Sequence, residues 1–545
     1  MAIQTALFKT TPSLQNRQIP SPFPTKTALF PLYRVRKTAF GPCSFHLSRK
    51  KGFGNRGLLS VSAVLEAEQK ESSNPSSSSS SSSKVRIVGL VGEGSVSPLQ
   101  CAPWEQVMLH TASRLKWVDE GYEMLVVTDK ILQFNDPSVE TLRRELARAD
   151  LLVIVAVRNQ GSIDWVQRNS GNIPNIFCFD SSPSLRSKLG GAFVDTEVEG
   201  NIFSKIVRVV QGKNTNESKE VVKTVSEAWE RHNSDDIRFC ILVIINSYIK
   251  PVPILKNLRS KGLSTLNCMV TNCGPEILNC LLDPNCRKAL QCLNSCAPTD
   301  QVCSYRCIAS YESPNLEAFS LCVLQKNNCL ALDAKIPAKP YVPPMRMFRG
   351  EDLSHEIAED LFVGWLDSLE WSWRVVAGQN PAYDQFPCQY QLFYRGKARG
   401  SFWYEPVFRV RTLEGKMVWR RRRYRVRRDK IPGTFNFSVL DNGVVSKEFW
   451  TIVDVCDDLS WGLFHYSGAA QAAGQSYTGA VLVSPNGDYP PHSGDQRLAS
   501  ALEKCGIKEW ELYTVDNRSC AGPPLGIPEG SSLHFKIKVQ GPDKP

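Results

Sequence analysis

Three successive textures predict a multidomain chain. They are an N-terminal doubly wound, Rossmann-like α/β domain, a disulfide-rich helical segment and a C-terminal antiparallel β-barrel. Between residues 84 and 250, short apolar runs alternate with helical patterns, as in a mostly parallel sheet covered by helices. Ten of the chain's 18 cysteines then fall between Cys268 and Cys329. From 345 to 523, about eight short alternating strands follow one another across Gly, Asn and Asp turns, and their natural closure is an up-and-down barrel. A length of 545 residues suits about three such domains.

Residues 1–60 are rich in Lys, Arg, Ser and Thr, and no acid occurs before Glu66. That composition is expected of an organelle transit peptide, most like a chloroplast one. Residues 61–83 read as a linker, nearly all serine from position 72 onward. No apolar run approaches the roughly 20 residues of a membrane helix, so any membrane contact is expected to be peripheral. The net charge of +11 gathers partly in the leader and in one basic run. It gives no argument for nucleic acid as a partner.

In the α/β region, strands are expected at Val85–Val91, Met124–Val127, Leu151–Val157, Ile176–Phe179 and Phe239–Ile245. Helices are expected at Pro103–Asp119, Val139–Ala149 and Val221–Arg231. The stretch Gly89-Leu90-Val91-Gly92-Glu93-Gly94 lacks the full G-x-G-x-x-G. It reads as a plain turn rather than a phosphate cradle. Cys101, Cys178 and Cys240 read as buried apolar thiols. No Ser/His/Asp or Cys/His set converges here, so the expected role is a scaffold or a surface for a protein partner.

The cysteine-rich segment, residues 265–332, has no histidine, and its gaps are mostly four to six residues. Zinc knuckles favour tighter pairs, so disulfides fit better than metal. A C-x3-C pair sets two sulfurs one helical turn apart on one face. Two such pairs about the turn Ala297-Pro298-Thr299-Asp300 predict a helical hairpin with Cys292–Cys307 outside and Cys296–Cys303 inside. The same logic predicts Cys268–Cys286 around Cys273–Cys280, and a local Cys322–Cys329 bridge. Disulfides imply an oxidising compartment.

After the Pro-rich connector Ile336–Pro344, barrel strands are expected at Trp371–Ala377, Gln389–Tyr394, Gly400–Arg411, Met417–Val426, Thr434–Val439, Val445–Val453, Trp461–Tyr466 and Ala480–Val483, with a helix over 495–505 and a tail over 524–545. Cys388 and Cys520 remain as a separated pair that would tie a strand to the tail. The basic run from Arg420 to Arg428 is expected at a rim or on the outside, because unpaired charges inside a barrel cost several kcal/mol each. Anionic lipid headgroups or an acidic partner would suit it.

The cysteine register, the stretch Gly378-Gln379-Asn380-Pro381-Ala382-Tyr383-Asp384-Gln385-Phe386-Pro387-Cys388-Gln389 and the closing Asp516-Asn517-Arg518-Ser519-Cys520 together resemble the violaxanthin de-epoxidase family. The α/β domain lies outside the resemblance and points to a longer-chain subgroup. The resemblance implies a lipocalin-like barrel, the cysteine pairing given above, and residence in the chloroplast, in the thylakoid lumen or at its membrane surface, with the stroma left open. It implies reductive removal of a xanthophyll epoxide with ascorbate as reductant and without metal. Glu448 then falls at the catalytic acid, Asp384 at a second acid and Tyr466 at a barrel hydroxyl. Alternation puts Glu448 and Trp450 on one face of their strand, and His465 on the side opposite Tyr466. Two histidines of the family are here Gln391 and Tyr394, which do not titrate between pH 5 and 7. A barrel tyrosine of the family is here Val483. A non-catalytic carrier or regulator of carotenoid or lipid is therefore the alternative reading.

Overall fold

The structure, a computed structural model, describes residues 84–98, 101–132, 137–185, 192–194, 216–229, 234–252, 263–296, 300–363, 373–380, 383–384, 386–395, 401–490, 496–526 and 532–533. The expected leader and serine linker lie outside them. The chain divides into two compact units, one carrying a parallel sheet and the other the cysteine-rich helices and a barrel.

The parallel sheet has the order Tyr122–Thr128, Val85–Val91, Leu151–Val155, Ile176–Phe179, Ala192–Val194. Leu151–Val155 is buried at every position, as a strand covered on both faces must be. The helices Trp104–Val118, Ser138–Leu146 and Gln160–Asn169 alternate with these strands. The last of them was not expected, nor was the strand Ala192–Val194. The glycine turn does not open a helix. The chain first makes the bridge Val96↔Pro103, and the helix begins at Trp104. Cys178 and Cys240 are buried thiols, whereas Cys101 is disulfide-bonded rather than free.

The strand expected at Phe239–Ile245 is instead the middle of a helix, Ser234–Tyr248. An apolar run buried all round carries no period that separates strand from helix. The helix signals were at its start, Ser234 followed by Asp235 and Asp236.

The cysteine-rich segment folds as the helices Leu263–Leu282, Pro284–Ser295, Gln301–Tyr311 and Pro314–Ser320, the last continuing as a wider-wound turn over Leu321–Lys326. Cys292–Cys307 and Cys296–Cys303 pair as the hairpin argument requires, and Cys388 pairs with Cys520. The other three expected bridges are corrected. Cys268 pairs with Cys329, Cys273 with Cys322, and Cys280 with Cys286. Nesting was the right principle, but the partner of the first pair is the last pair in sequence rather than the next. Sequence proximity is a weak guide because each doubling of a loop adds only about 0.6 kcal/mol of closure cost. Packing of Leu263–Leu282 against Pro314–Ser320 and Leu321–Lys326 decides instead. Cys292, Cys296 and Cys307 bring three sulfurs within 4.8 Å of one another, and all three are spent in disulfides.

The barrel is an eight-stranded antiparallel meander: Arg374–Gly378, Tyr390–Arg395, Ser401–Arg411, Tyr424–Arg428, Thr434–Asp441, Val444–Val455, Gly462–Ala470 and Gln475–Ser484. It closes where Gln475–Ser484 pairs with Arg374–Gly378. The expected strand Met417–Val426 is broken in two. Met417–Arg421 pairs with Val407–Arg411, and Tyr424–Arg428 pairs with Ser401–Tyr404. The break lies opposite Glu405 and Pro406, and proline has no N–H for the ladder. The turn Asn442–Gly443, with φ of 48° and 78°, joins two strands as a primed hairpin turn does. A Cβ on Gly443 would lie 2.3 Å from the Glu317 carbonyl oxygen, so the helix Pro314–Ser320 rests directly on this turn.

The basic run is largely engaged by partners within the chain. Arg420 donates to the Ala309 carbonyl, Arg422 pairs with Asp441 at 2.6 Å and Glu312 at 3.3 Å, and Arg421 and Arg423 both hold Glu405. Arg428 reaches Glu356 and Glu359. Arg425 and Arg427 alone of the run beyond Arg423 are exposed. Arg420 and Arg422 thus tie the helical segment to the barrel.

Candidate active site

One end of the barrel is filled. The helix His355–Val363 inserts Phe362, whose ring lies 4.6 Å from that of Phe435 and 5.1 Å from that of Phe464. Toward the other end the interior keeps a cavity of about 60 Å³, and both Asp384 and Glu448 face it. They are 4 % and 7 % exposed.

Each carboxyl is held by a tyrosine. Tyr466 Oη donates to Asp384 Oδ2 at 2.9 Å, and the Asn380 N–H donates to the same oxygen at 2.7 Å. Tyr477 Oη donates to Glu448 Oε1 at 2.8 Å, and Trp450 Nε1 donates to Glu448 Oε2 at 2.7 Å. The strand register explains the pattern. Glu448, Gly468 and Tyr477 lie in one row across three strands, and Trp450, Tyr466 and Gly479 in the next. A Cβ on Gly468 would lie 2.4 Å from the Tyr477 ring, and one on Gly479 would lie 2.5 Å from Tyr466 Oη. A Cβ on Gly378 would lie 2.3 Å from Asp384 Cβ. Three glycines therefore make room for three site side chains, which is what an interior strand glycine often signals.

Burial pushes the Asp384 carboxyl up to about 7, against the hydrogen bonds from Asn380 and Tyr466. Burial likewise raises Glu448, against those from Trp450 and Tyr477. The Glu448 charge adds to the rise at Asp384. The phenols of Tyr466 and Tyr477 are held well above their ordinary range, chiefly by burial, and stay protonated. The arrangement offers two carboxyls kept toward their acid form, with two neutral hydroxyls beside them, in an aromatic-walled chamber. That is the equipment for protonating an oxygen on an apolar molecule.

Glu448, Asp384 and Tyr466 are thus brought together. Glu448 and Trp450 do share a face, as alternation requires. Sequence reasoning missed Tyr477 and the Trp450 hydrogen bond; the glycine opposite Glu448 was the available signal. Gln391 lines the cavity and accepts from Tyr404 Oη, while Tyr394 donates to Glu405. Val483 is buried in the apolar core and supplies no hydroxyl. His465 does face away from Tyr466 but is only 4 % exposed, and burial lowers it to about 4, so it stays neutral.

The helical segment forms the lip above this chamber. Tyr305 of Gln301–Tyr311 packs on Tyr383 at 5.3 Å and on Phe408 at 6.0 Å between ring centres, and both of those rings line the cavity. Arg306 fastens the same helix to the carbonyls of Arg411 at 3.1 Å and Thr412 at 3.3 Å.

Residues 265–517 match the VDE lipocalin domain family. Violaxanthin de-epoxidase, chloroplastic, from Nicotiana tabacum is 23 % identical over 314 residues, covering 56 % of this chain and 60 % of that one. Its counterpart from Spinacia oleracea is 22 % identical over 276 residues, covering 48 % and 53 %. The chain thus spans less than two thirds of the length of these relatives. Among solved structures, apocrustacyanin C2 aligns with 34 % of this chain and 93 % of its own, at 9 % identity and a TM-score of 0.22. The matched span begins ahead of Cys268 and runs through every barrel strand, so the cysteine-rich segment and the barrel are similar to the violaxanthin de-epoxidase family.

Proposed function

We propose that the barrel performs reductive de-epoxidation of a xanthophyll in the chloroplast, with Glu448 as proton donor and ascorbate as reductant. The observation that carries this reading is the convergence of two buried carboxyls, each raised toward its protonated form, on one aromatic-walled cavity. An epoxide oxygen leaves carbon only once it is protonated, and a neutral carboxylic acid can supply that proton. Tyr477, whose hydroxyl can donate or accept, can hold the Glu448 carboxyl in either state. Asp384, steadied by Tyr466, is placed for the second proton. The balance closes: the epoxide gains two electrons and two protons, giving an alkene and water, while ascorbic acid becomes dehydroascorbic acid.

A cavity of about 60 Å³ is well below the roughly 300–1,000 Å³ of a ligand pocket. Entry of substrate therefore requires the Tyr305–Tyr383 lip to part. The thylakoid lumen suits the oxidised cysteines, and contact with the thylakoid lipid surface suits an apolar substrate.

A second reading is a carrier that binds the xanthophyll without converting it. The absence of a hydroxyl at Val483 and of titrating groups at Gln391 and Tyr394 favours it. Oxidised full-length protein, given violaxanthin in lipid and ascorbate from pH 5 to 7.5, decides between them. De-epoxidised product that falls by about 10²–10⁴-fold in Glu448→Gln supports the enzyme. Pigment retained without product across that range selects the carrier.

A further inference from the structure

The α/β unit contains a larger cavity, of about 540 Å³. It opens at the carboxyl ends of four strands. Gly92–Val96 follow Val85–Val91, Asp129 follows Tyr122–Thr128, Ala156–Asn159 follow Leu151–Val155, and Asp180 follows Ile176–Phe179. The chain steps from Val85–Val91 to one side, then crosses back to Leu151–Val155 and builds to the other. In open α/β sheets this reversal leaves a crevice in which ligands bind.

The walls are fixed in place. A Cβ on Gly92 would lie 2.0 Å from the Ala156 carbonyl oxygen, so the two flanking loops touch at the floor. Asp129 is 2 % exposed, and its Oδ1 accepts the Glu93 N–H at 2.8 Å. Ala156 and Asp180 hold φ of 53° and 45°, a left-handed backbone uncommon for non-glycine residues.

The chemistry of the lining narrows the ligand. Three carboxylates face one guanidinium, and Arg158 is already on Asp180 at 3.0 Å. Lys130 meets Glu93 at 2.8 Å. A bare phosphate would enter a surplus of carboxylate. No aromatic ring lines the cavity among the described residues, so a flat ring finds no stacking partner. Carboxylates accept hydrogen bonds and never donate them, and one carboxylate can span two neighbouring hydroxyls. An acid at a strand end that takes ribose hydroxyls is the established use of such a position in dinucleotide-binding sheets.

We propose that this crevice binds a sugar ring through its vicinal hydroxyls, as a free sugar or as the ribose of a nucleoside. Asp129 and Asp180 accept from the diol at the floor, and Glu93 does so at the rim. Calorimetric titration of the full-length protein with ribose, adenosine, 2′,3′-dideoxyadenosine and inorganic phosphate tests it. Ribose and adenosine binding alike identifies a free sugar, and adenosine alone identifies a nucleoside. Either supports the site, provided that removing the diol weakens binding about tenfold or more. Val96→Trp, at an exposed lining position, should abolish binding without shifting the melting temperature, and Glu93→Gln should weaken it. Equal binding of adenosine and its dideoxy analogue, binding of phosphate alone, or no binding of any diol at millimolar concentration would overturn the proposal.

Discussion

Glu405 and Glu448 are buried in the same barrel, and their carboxyls are shifted in opposite directions. Glu405 is 2 % exposed and Glu448 is 7 % exposed, so burial alone pushes both carboxyls up. At Glu405 that push is outweighed. Tyr394, Arg423 and Arg421 all donate to it, and the carboxyl falls below its ordinary range. At Glu448 the donors are Trp450 and Tyr477, both neutral, and the carboxyl stays raised. The broken strand at Arg422 lets arginines swing onto the outward Glu405. Arg422 shares the cavity wall but is held by Asp441 and Glu312, and among the described residues no cation pairs with Glu448. The charge of the neighbours, not the depth of burial, sets which acid is a structural anion and which can give up a proton.

The largest expected effect tests that rule on a third carboxyl. Asp384, with neutral donors, has a folded value of about 7 against 3.8 ordinarily. The folded state therefore binds the extra proton between those values, and stability falls as pH rises from about 4 to 7. Above 7 the cost reaches about 4 kcal/mol. Asp384→Asn keeps an oxygen for Tyr466 and removes the ionisation. Urea unfolding should show the variant more stable by up to that amount at pH 8 and little changed at pH 4. Parallel pH profiles for variant and wild type would mean that Asp384 is already ionised.

Next in size is Glu405→Gln. It leaves Arg421 and Arg423 facing a neutral partner, and removing one member of a buried ion pair costs roughly 3–5 kcal/mol. Because Arg423 is 52 % exposed, the expected loss is at the lower end, about 3 kcal/mol at pH 7. The sign with pH is the reverse of that at Asp384. A depressed carboxyl contributes stability above its unfolded value, and that stability is lost as pH falls through the folded one. Wild type and variant should therefore converge only as pH falls below the ordinary carboxyl range, through the depressed folded value.

Much of the barrel was legible because alternation in strands such as Thr434–Asp441 and Val444–Val455 fixes which face is interior, and with it that Glu448 points inward. Cross-strand partners were not legible, since register depends on turns and closure. Tyr477 therefore stayed hidden, although Gly468 marked the gap that it crosses. The distant bridges Cys268–Cys329 and Cys273–Cys322 were missed for a related reason: helix packing sets them, and loop length hardly discriminates. The ion pairs of the basic run were not legible because Glu405, its main partner, lies on the neighbouring strand Ser401–Arg411.

A smaller effect probes the glycine rows. Gly468→Ala places a methyl group 2.4 Å from the Tyr477 ring and must displace it from Glu448. Overpacking of this kind costs roughly 1–3 kcal/mol. If the proposed chemistry holds, turnover should fall more than stability does, because Tyr477 leaves the acid. A variant with full activity and wild-type melting would show that the Tyr477 contact is dispensable.

The smallest expected change in stability is the sharpest test of the contrast between Glu405 and Glu448. In Glu448→Gln the amide oxygen still accepts the Trp450 N–H. The new NH₂ meets Tyr477, whose hydroxyl can turn and accept from it. No cation is left unpaired. Stability at pH 5 should change by about 1 kcal/mol or less, in contrast to about 3 for Glu405→Gln. The same exchange of carboxyl for amide thus carries two different costs within one barrel, because only at Glu405 does the amide strand two arginines. If Glu448→Gln instead unfolds as readily as Glu405→Gln, Glu448 is an anion in the folded protein, and it cannot be the proton donor.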